Sequence, residues 1–475
     1  YRNISFYHVV LISPYGFPIL GRLPWVRQRS IHSMYLSLAD RYGDIFSLRL
    51  GNRLVVCISS PPILQENLYK LDAIGRPDTP FNNLFSGYGI IMSQGNIWNA
   101  ERQFLVEKLH RLGVNMWTKP KFEKRIAVIV AMLFELNKKP GKRQNPARLL
   151  NRYIHNVLSQ LIMNVRFSDE DPRFKYLTQR IKQVKKLFGS IYIGEYLPCY
   201  MKIPGKKEVL TKIRNNLDNI YAFYEEHMIT RSEVLKSSSM DFEPVDLLDC
   251  FNQLLLTEPK DHLPEIVNKR DMQAVHVMYD LFSAGAETTR TAIVWLIVMM
   301  LREREVANKV REELGTVVKR KRLVSLKYSR KLPYLEAVIL ETLRRTSVVP
   351  LGTPHVNRSQ WKIGNYIIPS GTTIIPLINK INMNPSFFPE PEKFIPERFI
   401  KDGMLHTPDF FLPFGVGKRV CLGMQLARME LFLFFANIMN FYEFSLADGD
   451  KLPSLEGSYD TVHKPHPFKA IFKKF

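Results

Sequence analysis

One cysteine stands in a setting that could hold a metal. Pro413-Phe414-Gly415-Val416-Gly417-Lys418-Arg419-Val420-Cys421-Leu422-Gly423 runs straight into Met424-Gln425-Leu426-Ala427-Arg428-Met429-Glu430 and a long apolar stretch. Two glycines two apart permit a tight turn with positive φ, which a side chain would oppose. The pattern predicts a thiol on a bulged loop at the entrance of a helix. Free backbone N–H groups and a helix N-terminus favour a thiolate there, and Lys418 and Arg419 add positive charge. Such a sulfur is a suitable ligand for iron. The alternative for a lone free cysteine is inert burial in a core.

A second group breaks the rules of the element that carries it. Residues 271–301 are apolar nearly all round, which predicts a long buried helix. Yet Ala284-Gly285-Ala286-Glu287-Thr288-Thr289 lies inside it. Glycine costs roughly 1 kcal/mol in a helix interior. A threonine hydroxyl competes for the carbonyl four residues back and opens the helix there. An acid and two hydroxyls placed against local preference point to function at Glu287 and Thr288, with a kink and a chance polar patch as the alternative. Two further pairs share helix faces. Trp98 and Arg102, at i and i+4, offer two donors, fit for a carboxylate. Glu341 and Arg344, at i and i+3, form an ion pair.

These residues need a large scaffold. The chain has 475 residues, 45% of them hydrophobic and 12% aromatic, the balance of a globular enzyme. The expected fold is mainly α with small β-sheets (α+β). Helices are predicted over 31–42, 122–136, 149–165, 174–187, 207–235, 302–315 and 334–345. Residues 45–50 and 54–59 predict a hairpin around Gly51-Asn52, and 363–368 with 372–378 a second one around Ile368-Pro369-Ser370-Gly371. Residues 81–94, 233–244 and 317–331 read as loops, and 457–459 as a turn.

Cys57, Cys199, Cys250 and Cys421 lie far apart without a CxxC pair. That excludes a disulfide framework and a zinc site and suits a reducing compartment. The net charge of +22 favours an acidic partner or an anionic membrane surface. No zinc-finger, RRM-like or basic-zipper pattern supports nucleic-acid binding. No opening run of about 18 apolar residues is present. Residues 1–24 are expected to be a Pro/Gly-rich linker after an anchor that precedes Tyr1, and 25–475 one catalytic domain.

Phe-Gly-x-Gly-x-Arg-x-Cys-x-Gly at 414–423, Ala-Gly-x-Glu-Thr at 284–288, Glu-x-x-Arg at 341–344 and Trp-x-x-x-Arg at 98–102 together resemble the cytochrome P450 family of haem-thiolate monooxygenases, microsomal animal type. The resemblance implies that fold, with its long central helix and cysteine loop. It implies haem b with Cys421 as the axial ligand of its iron. Trp98, Arg102, His355, Phe414, Arg419, Ala284 and Gly285 are its expected contacts. Glu287 and Thr288 would serve catalysis by delivering protons to bound oxygen. Glu341, Arg344 and Arg398 would form a structural network. Phe85, Ile90, Val348, Val349, Leu351 and Ser458 would line the substrate pocket.

The absence of a dinucleotide fingerprint requires outside electrons. The resemblance implies NADPH–cytochrome P450 reductase, with cytochrome b5 as a second donor, docked on a basic face of Lys418, Arg419, Arg428, Lys108 and Arg111. It also implies the cytoplasmic face of the endoplasmic reticulum membrane. Arg76-Pro77-Asp78-Thr79-Pro80-Phe81, Ser347-Val348-Val349-Pro350-Leu351-Gly352 and Pro376-Leu377-Ile378 look like arthropod steroid-hormone hydroxylases, so an ecdysteroid-type substrate comes first. Xenobiotic or fatty-acid oxidation is the alternative. A non-catalytic haem sensor is disfavoured because Glu287 and Thr288 are both present. Met424 and Asn382-Met383-Asn384-Pro385 depart from the family pattern without removing a ligand.

Overall fold

A computed structural model describes residues 13–26, 31–114, 127–138, 141–168, 170–236, 243–257, 270–319, 322–459 and 462–475. The helices are α1 (Ile31–Tyr42), α2 (Pro61–Leu68), α3 (Gly95–Arg111), α4 (Ala127–Asn137), α5 (Pro146–Met163), α6 (Pro172–Ile191) and α7 (Lys206–Lys236). They continue as α8 (Leu247–Thr257), α9 (Arg270–Arg302), α10 (Arg304–Val317), α11 (Pro333–Thr346), α12 (Ile378–Asn382) and α13 (Met424–Phe441). Sequence punctuation explains several ends. Asn145 and Asp171 accept from backbone N–H groups at the starts of α5 and α6, each followed by proline. Ser347 turns left-handed (φ 41°) to stop α11.

The central helix α9 is apolar nearly all round and packs against α5, α7, α11 and α13. Its length and hydropathy would allow a membrane crossing, but most of that window is buried inside the protein. It is the axis of the core.

Short strands flank this helical body. β1 (Ile45–Leu50) and β2 (Arg53–Ile58) form the expected hairpin. The second expected hairpin is wrong. After β3 (Arg143–Gln144) and β4 (His355–Val356), it is β5 (Trp361–Ile363) and β6 (Tyr366–Ile368) that pair, around Gly364-Asn365. β7 (Thr373–Pro376) instead runs parallel to β2 and antiparallel to β4. The Gly-Asn dipeptide was the stronger two-residue turn signal.

The segment expected to be a linker is fastened to the sheet where it is described. Arg22 N donates to Arg49 O at 2.8 Å, and Gly51 N to Leu20 O at 3.0 Å. The expected basic loop at 317–331 closes with a 3-10 turn over Leu326–Lys331. Residues 1–12 of the expected linker, 122–126 of one expected helix, and 237–242 and 320–321 of two expected loops lie outside the described residues; residues 233–236, expected as loop, belong to α7.

Candidate active site

The cysteine loop is built by its glycines. Gly415 and Gly417 have φ of 77° and 83°. A Cβ on Gly417 would lie 2.2 Å from Leu68 O, so the loop presses on the end of α2. Lys418 N then donates to that same carbonyl at 3.1 Å, and Cys421 N to Phe414 O at 3.0 Å. Gly423 caps α13, placing Cys421 just before its first turn, as the spacing predicts.

The charge around the sulfur differs from expectation. Burial pushes the Cys421 thiol up; the Gly423 N–H and the Arg102 guanidinium oppose this only in part. Lys418 and Arg419 do not stabilise it. Arg419 instead points away, donating to Ile74 O at 2.6 Å, to Ser93 O at 2.5 Å and to Ile90 O at 3.2 Å. The residue is exposed, yet burial is the largest influence on its thiol. The two agree if Sγ faces a cavity walled by protein. A cation binding there would strip the proton regardless, since coordinating thiols are deprotonated.

That cavity has a volume of about 350 Å³. Cys421, Phe414 and Arg419 line it, with Trp98, Arg102, Ala284, Gly285, Thr288, Ile90, Val348, Val349 and His355. Sequence separations of more than 300 residues are thus closed, and all the expected haem contacts share one space. Arg102 Nη2 donates to Val420 O at 2.7 Å, tying α3 to the cysteine loop. Arg419 and Arg102 lie over the Trp98 ring at 4.3 and 5.6 Å.

Arg76, which sequence reasoning used only as a family likeness, joins this group. It donates to Ile91 O at 2.9 Å and to Pro354 O at 2.7 Å. None of Arg76, Arg102 and Arg419 has a carboxylate partner among the described residues. Burial pulls all three guanidinium groups down, and Arg76 and Arg102 add repulsion on Arg419. Clustered buried cations without a counter-charge are costly. The donor set therefore fits a flat iron porphyrin with two carboxylates.

His355 is qualified as a partner. Burial, then Arg76 and Arg419, pull it down to about 3. Its Nδ1 lies 3.1 Å from Ala73 O, which can only accept. In that neutral tautomer Nε2 is an acceptor, so His355 donates to a carboxylate only as the imidazolium.

The helix α9 is continuous through the Gly-Thr run, contrary to the expected break. Thr288 Oγ1 does donate back to Ala284 O at 2.8 Å, as expected, yet the helix absorbs the bond. A Cβ on Gly285 would sit 3.1 Å from Leu158, so this glycine also lets α5 approach.

Glu287 does not share the cavity with Thr288. It faces a second, outer chamber of about 760 Å³ and is ion-paired with Lys185 of α6. Burial alone would raise its carboxyl; Lys185, then Arg290 and Lys464, outweigh this and hold it below the usual carboxylate range. Val349 and Gly352 line both spaces, and Leu351 the outer one. Phe85 and Ser458 line neither. Phe85 packs against Phe81 and Tyr279, and it is the neighbouring Tyr459 that reaches the outer chamber.

The structural network is present. Glu341 and Arg344 have fully buried side chains and pair at 2.7 and 2.8 Å. Arg398 adds a third contact at 3.2 Å. The expected docking face is weaker than its residue list. Arg419 is turned inward, Lys108 and Arg111 share Glu107 at 3.1 and 2.9 Å, and Arg428 lies 4.0 Å from Glu336.

Two buried acids were missed. Asp280 of α9 accepts from Ile90 N and Ile91 N at 2.8 and 2.9 Å, and burial pushes it up to about 7. A Cβ on Gly89 (φ 81°) would meet its carboxylate at 2.4 Å. Glu430 of α13 lines the inner cavity, with one oxygen unpartnered; burial, opposed by Thr289, pushes it up to about 8. An acid inside an apolar run was the available signal, the same one that exposed Glu287.

Glu430 carries a pH prediction. Its folded value lies above its ordinary 4.5, so the folded state keeps a proton that the unfolded chain has released. That contribution is complete below about pH 4.5 and is lost as pH rises through about 8. Denaturant unfolding between about pH 5 and pH 9 should therefore fall more steeply for the native chain than for Glu430→Gln. Equal slopes would show that Glu430 is not buried as described.

Comparison with known proteins agrees with this geometry. A family model described as Cytochrome P450 matches residues 12–472. Cytochrome P450 18a1 of Drosophila melanogaster is 36% identical over 471 residues, covering 97% of this chain and 86% of that protein. Cytochrome P450 2L1 of Panulirus argus is 30% identical, covering 97% and 94%. Cytochrome P450 2B19 of Mus musculus is 31% identical, covering 94% and 91%.

Proposed function

The chain belongs to the cytochrome P450 family of haem monooxygenases, and from that premise we propose that it hydroxylates a hydrophobic, sterol-like substrate, with an ecdysteroid-type hormone as the first candidate. Cys421 would be the thiolate ligand of haem b, and Arg76, Arg102 and Arg419 would hold its two propionates. When bound, haem b supplies oxygen activation and C–H oxidation.

The chain's own part is placement and proton supply. Ala284, Gly285 and Thr288 form the α9 wall of the inner cavity. Thr288 Oγ1, now satisfied by Ala284 O, is the hydroxyl that can turn to hold a proton at that wall. Glu287, ionised beside Lys185, takes up protons from the outer chamber for that hydroxyl. Val348 and Val349 keep water from the reacting carbon.

The observation that carries the substrate class is the outer chamber. Tyr35, Phe188, Tyr192, Tyr196 and Tyr459 line it, and it meets the inner cavity at Val349 and Gly352. Flat aromatic walls at this volume suit a rigid multi-ring apolar body. NADPH–cytochrome P450 reductase and cytochrome b5 are the proposed electron donors. The endoplasmic reticulum surface is the proposed location, supported by exposed Tyr15, Phe17, Ile19 and Trp25 on one segment.

A screen by haem spin-state shift tests the substrate. Ecdysteroids should shift the spectrum while unrelated drugs do not. A broad response to unrelated drugs would replace this reading with xenobiotic oxidation.

A further inference from the structure

The inner cavity and the outer chamber meet at Val349 and Gly352, where the chain is neither helix nor strand. One side of this opening is fixed by α12. Asn379 N donates to Pro350 O at 2.9 Å, and a Cβ on Gly352 would lie 2.7 Å from Pro376 Cγ. The other side, Thr346-Ser347-Val348, leaves α11 at the left-handed Ser347. Asn382 Nδ2 holds the Ser347 hydroxyl at 3.0 Å. The carbonyls that flank it, of Thr346 and Val348, both face one residue of the C-terminal segment, His463.

His463 is buried, lines neither space and has no part in the proton supply. Yet each of its polar atoms is placed. Its N donates to Val348 O at 2.9 Å, and Trp295 Nε1 of α9 donates to its O at 2.9 Å. Nδ1 lies 2.5 Å from Thr346 O, and Nε2 lies 3.0 Å from Glu456 O. Burial pulls the ring down; the Thr346 and Glu456 carbonyls oppose it, and Arg345 and His466 add to it. A neutral imidazole has a single N–H. The shorter contact assigns it to Nδ1, so the hold on Thr346 is firm and that on Glu456 is weak. Gly457 (φ 56°) lets its turn press on the ring, since a Cβ there would lie 2.7 Å from Nε2. The ring also stacks on Tyr459 at 4.2 Å, and Tyr459 stacks on His32 of α1 at 3.2 Å. Tyr459 and His32 both line the outer chamber.

We propose that His463 is a positioning residue for substrate selection. By pinning Thr346 and Val348 to α9 and to the chamber wall, it sets the opening at Val349 and Gly352, and so the size of body that reaches Cys421. The proposal rests on the reading of this chain as a haem monooxygenase and names what limits access within that site. A fully committed buried polar residue fixes the geometry of the groups it touches. Removing the imidazole frees the Thr346 carbonyl and the Tyr459 stack together, and the strip between them yields.

The test compares two neutral probes that share one iron-binding nitrogen, 1-methyl-1,2,4-triazole and 1-(diphenylmethyl)-1,2,4-triazole. Association with the holoenzyme is followed by the Soret shift in stopped flow. In His463→Ala the bulky probe should associate about tenfold faster while the small probe changes less than about twofold, because only the bulky one waits for the opening. Trp295→Phe keeps an aromatic ring and removes the Nε1 donor to His463 O. It should move the bulky-to-small ratio the same way by about threefold, and it decides the matter if His463→Ala fails to hold haem. An unchanged ratio in the variants that hold haem, or equal acceleration of both probes, overturns the positioning role and leaves the monooxygenase reading standing. Absence of any Soret shift with the small probe in the native holoenzyme overturns that reading, and the proposal with it.

Discussion

Replacing Glu341 with alanine is expected to cost about 3–5 kcal/mol of stability, because it strands a buried charge. Arg344 has no exposed side-chain surface, and both its contacts to Glu341 are short. Its other donors reach only neutral acceptors, the carbonyls of Asn382, Pro391 and Lys393 and the sulfur of Met383. Carbonyl dipoles solvate a guanidinium but do not neutralise it. Ile395 N and Arg398 would lose the same acceptor, so the loop leading to the cysteine segment loosens together with α11. Denaturant unfolding and retained haem content measure the effect. A loss below about 1 kcal/mol would mean that the pair is solvated, as surface pairs are.

Replacing Cys421 with serine should abolish oxidation while leaving the fold intact. The loop is shaped by Gly415, by Gly417 against Leu68 O, and by the Cys421 N to Phe414 O bond, none of which uses the sulfur. The arginines proposed to hold the carboxylates of the group are also untouched. The variant should therefore still take up haem, yet yield no product above background, since the thiolate's electron donation is gone. Product formation at the native rate would remove Cys421 from the mechanism.

Local pattern carried much of this architecture, and tertiary chemistry carried the rest. The cysteine loop, the α9 run and the Trp98–Arg102 and Glu341–Arg344 pairs were legible because spacing along one element fixes which side chains share a face. Arg398 was legible only through family resemblance. Lys185 as the partner of Glu287 was not readable, since the two are 102 residues apart on different helices. For the same reason Arg76 passed unnoticed as part of an arginine cluster with Arg102 and Arg419. The expected electrostatics of Cys421 failed because a sequence displays charges but not directions. Arg419 is two residues away in the chain and faces carbonyls instead. Phe85 was placed in the pocket by family resemblance, whereas its large apolar ring is seated in the core against Phe81 and Tyr279. The α9 break was expected from the composition of the run, but one threonine back-bond is too small a perturbation to interrupt a helix packed by α5, α7, α11 and α13.

The most direct test is spectroscopic. The purified holoprotein is reduced, exposed to carbon monoxide, and compared with Cys421→Ser. A red-shifted Soret band in the native chain, lost in the variant, is the predicted result for sulfur ligation at this position. Absence of that band in the native chain, or its survival without Cys421, would contradict the assignment on which the site rests.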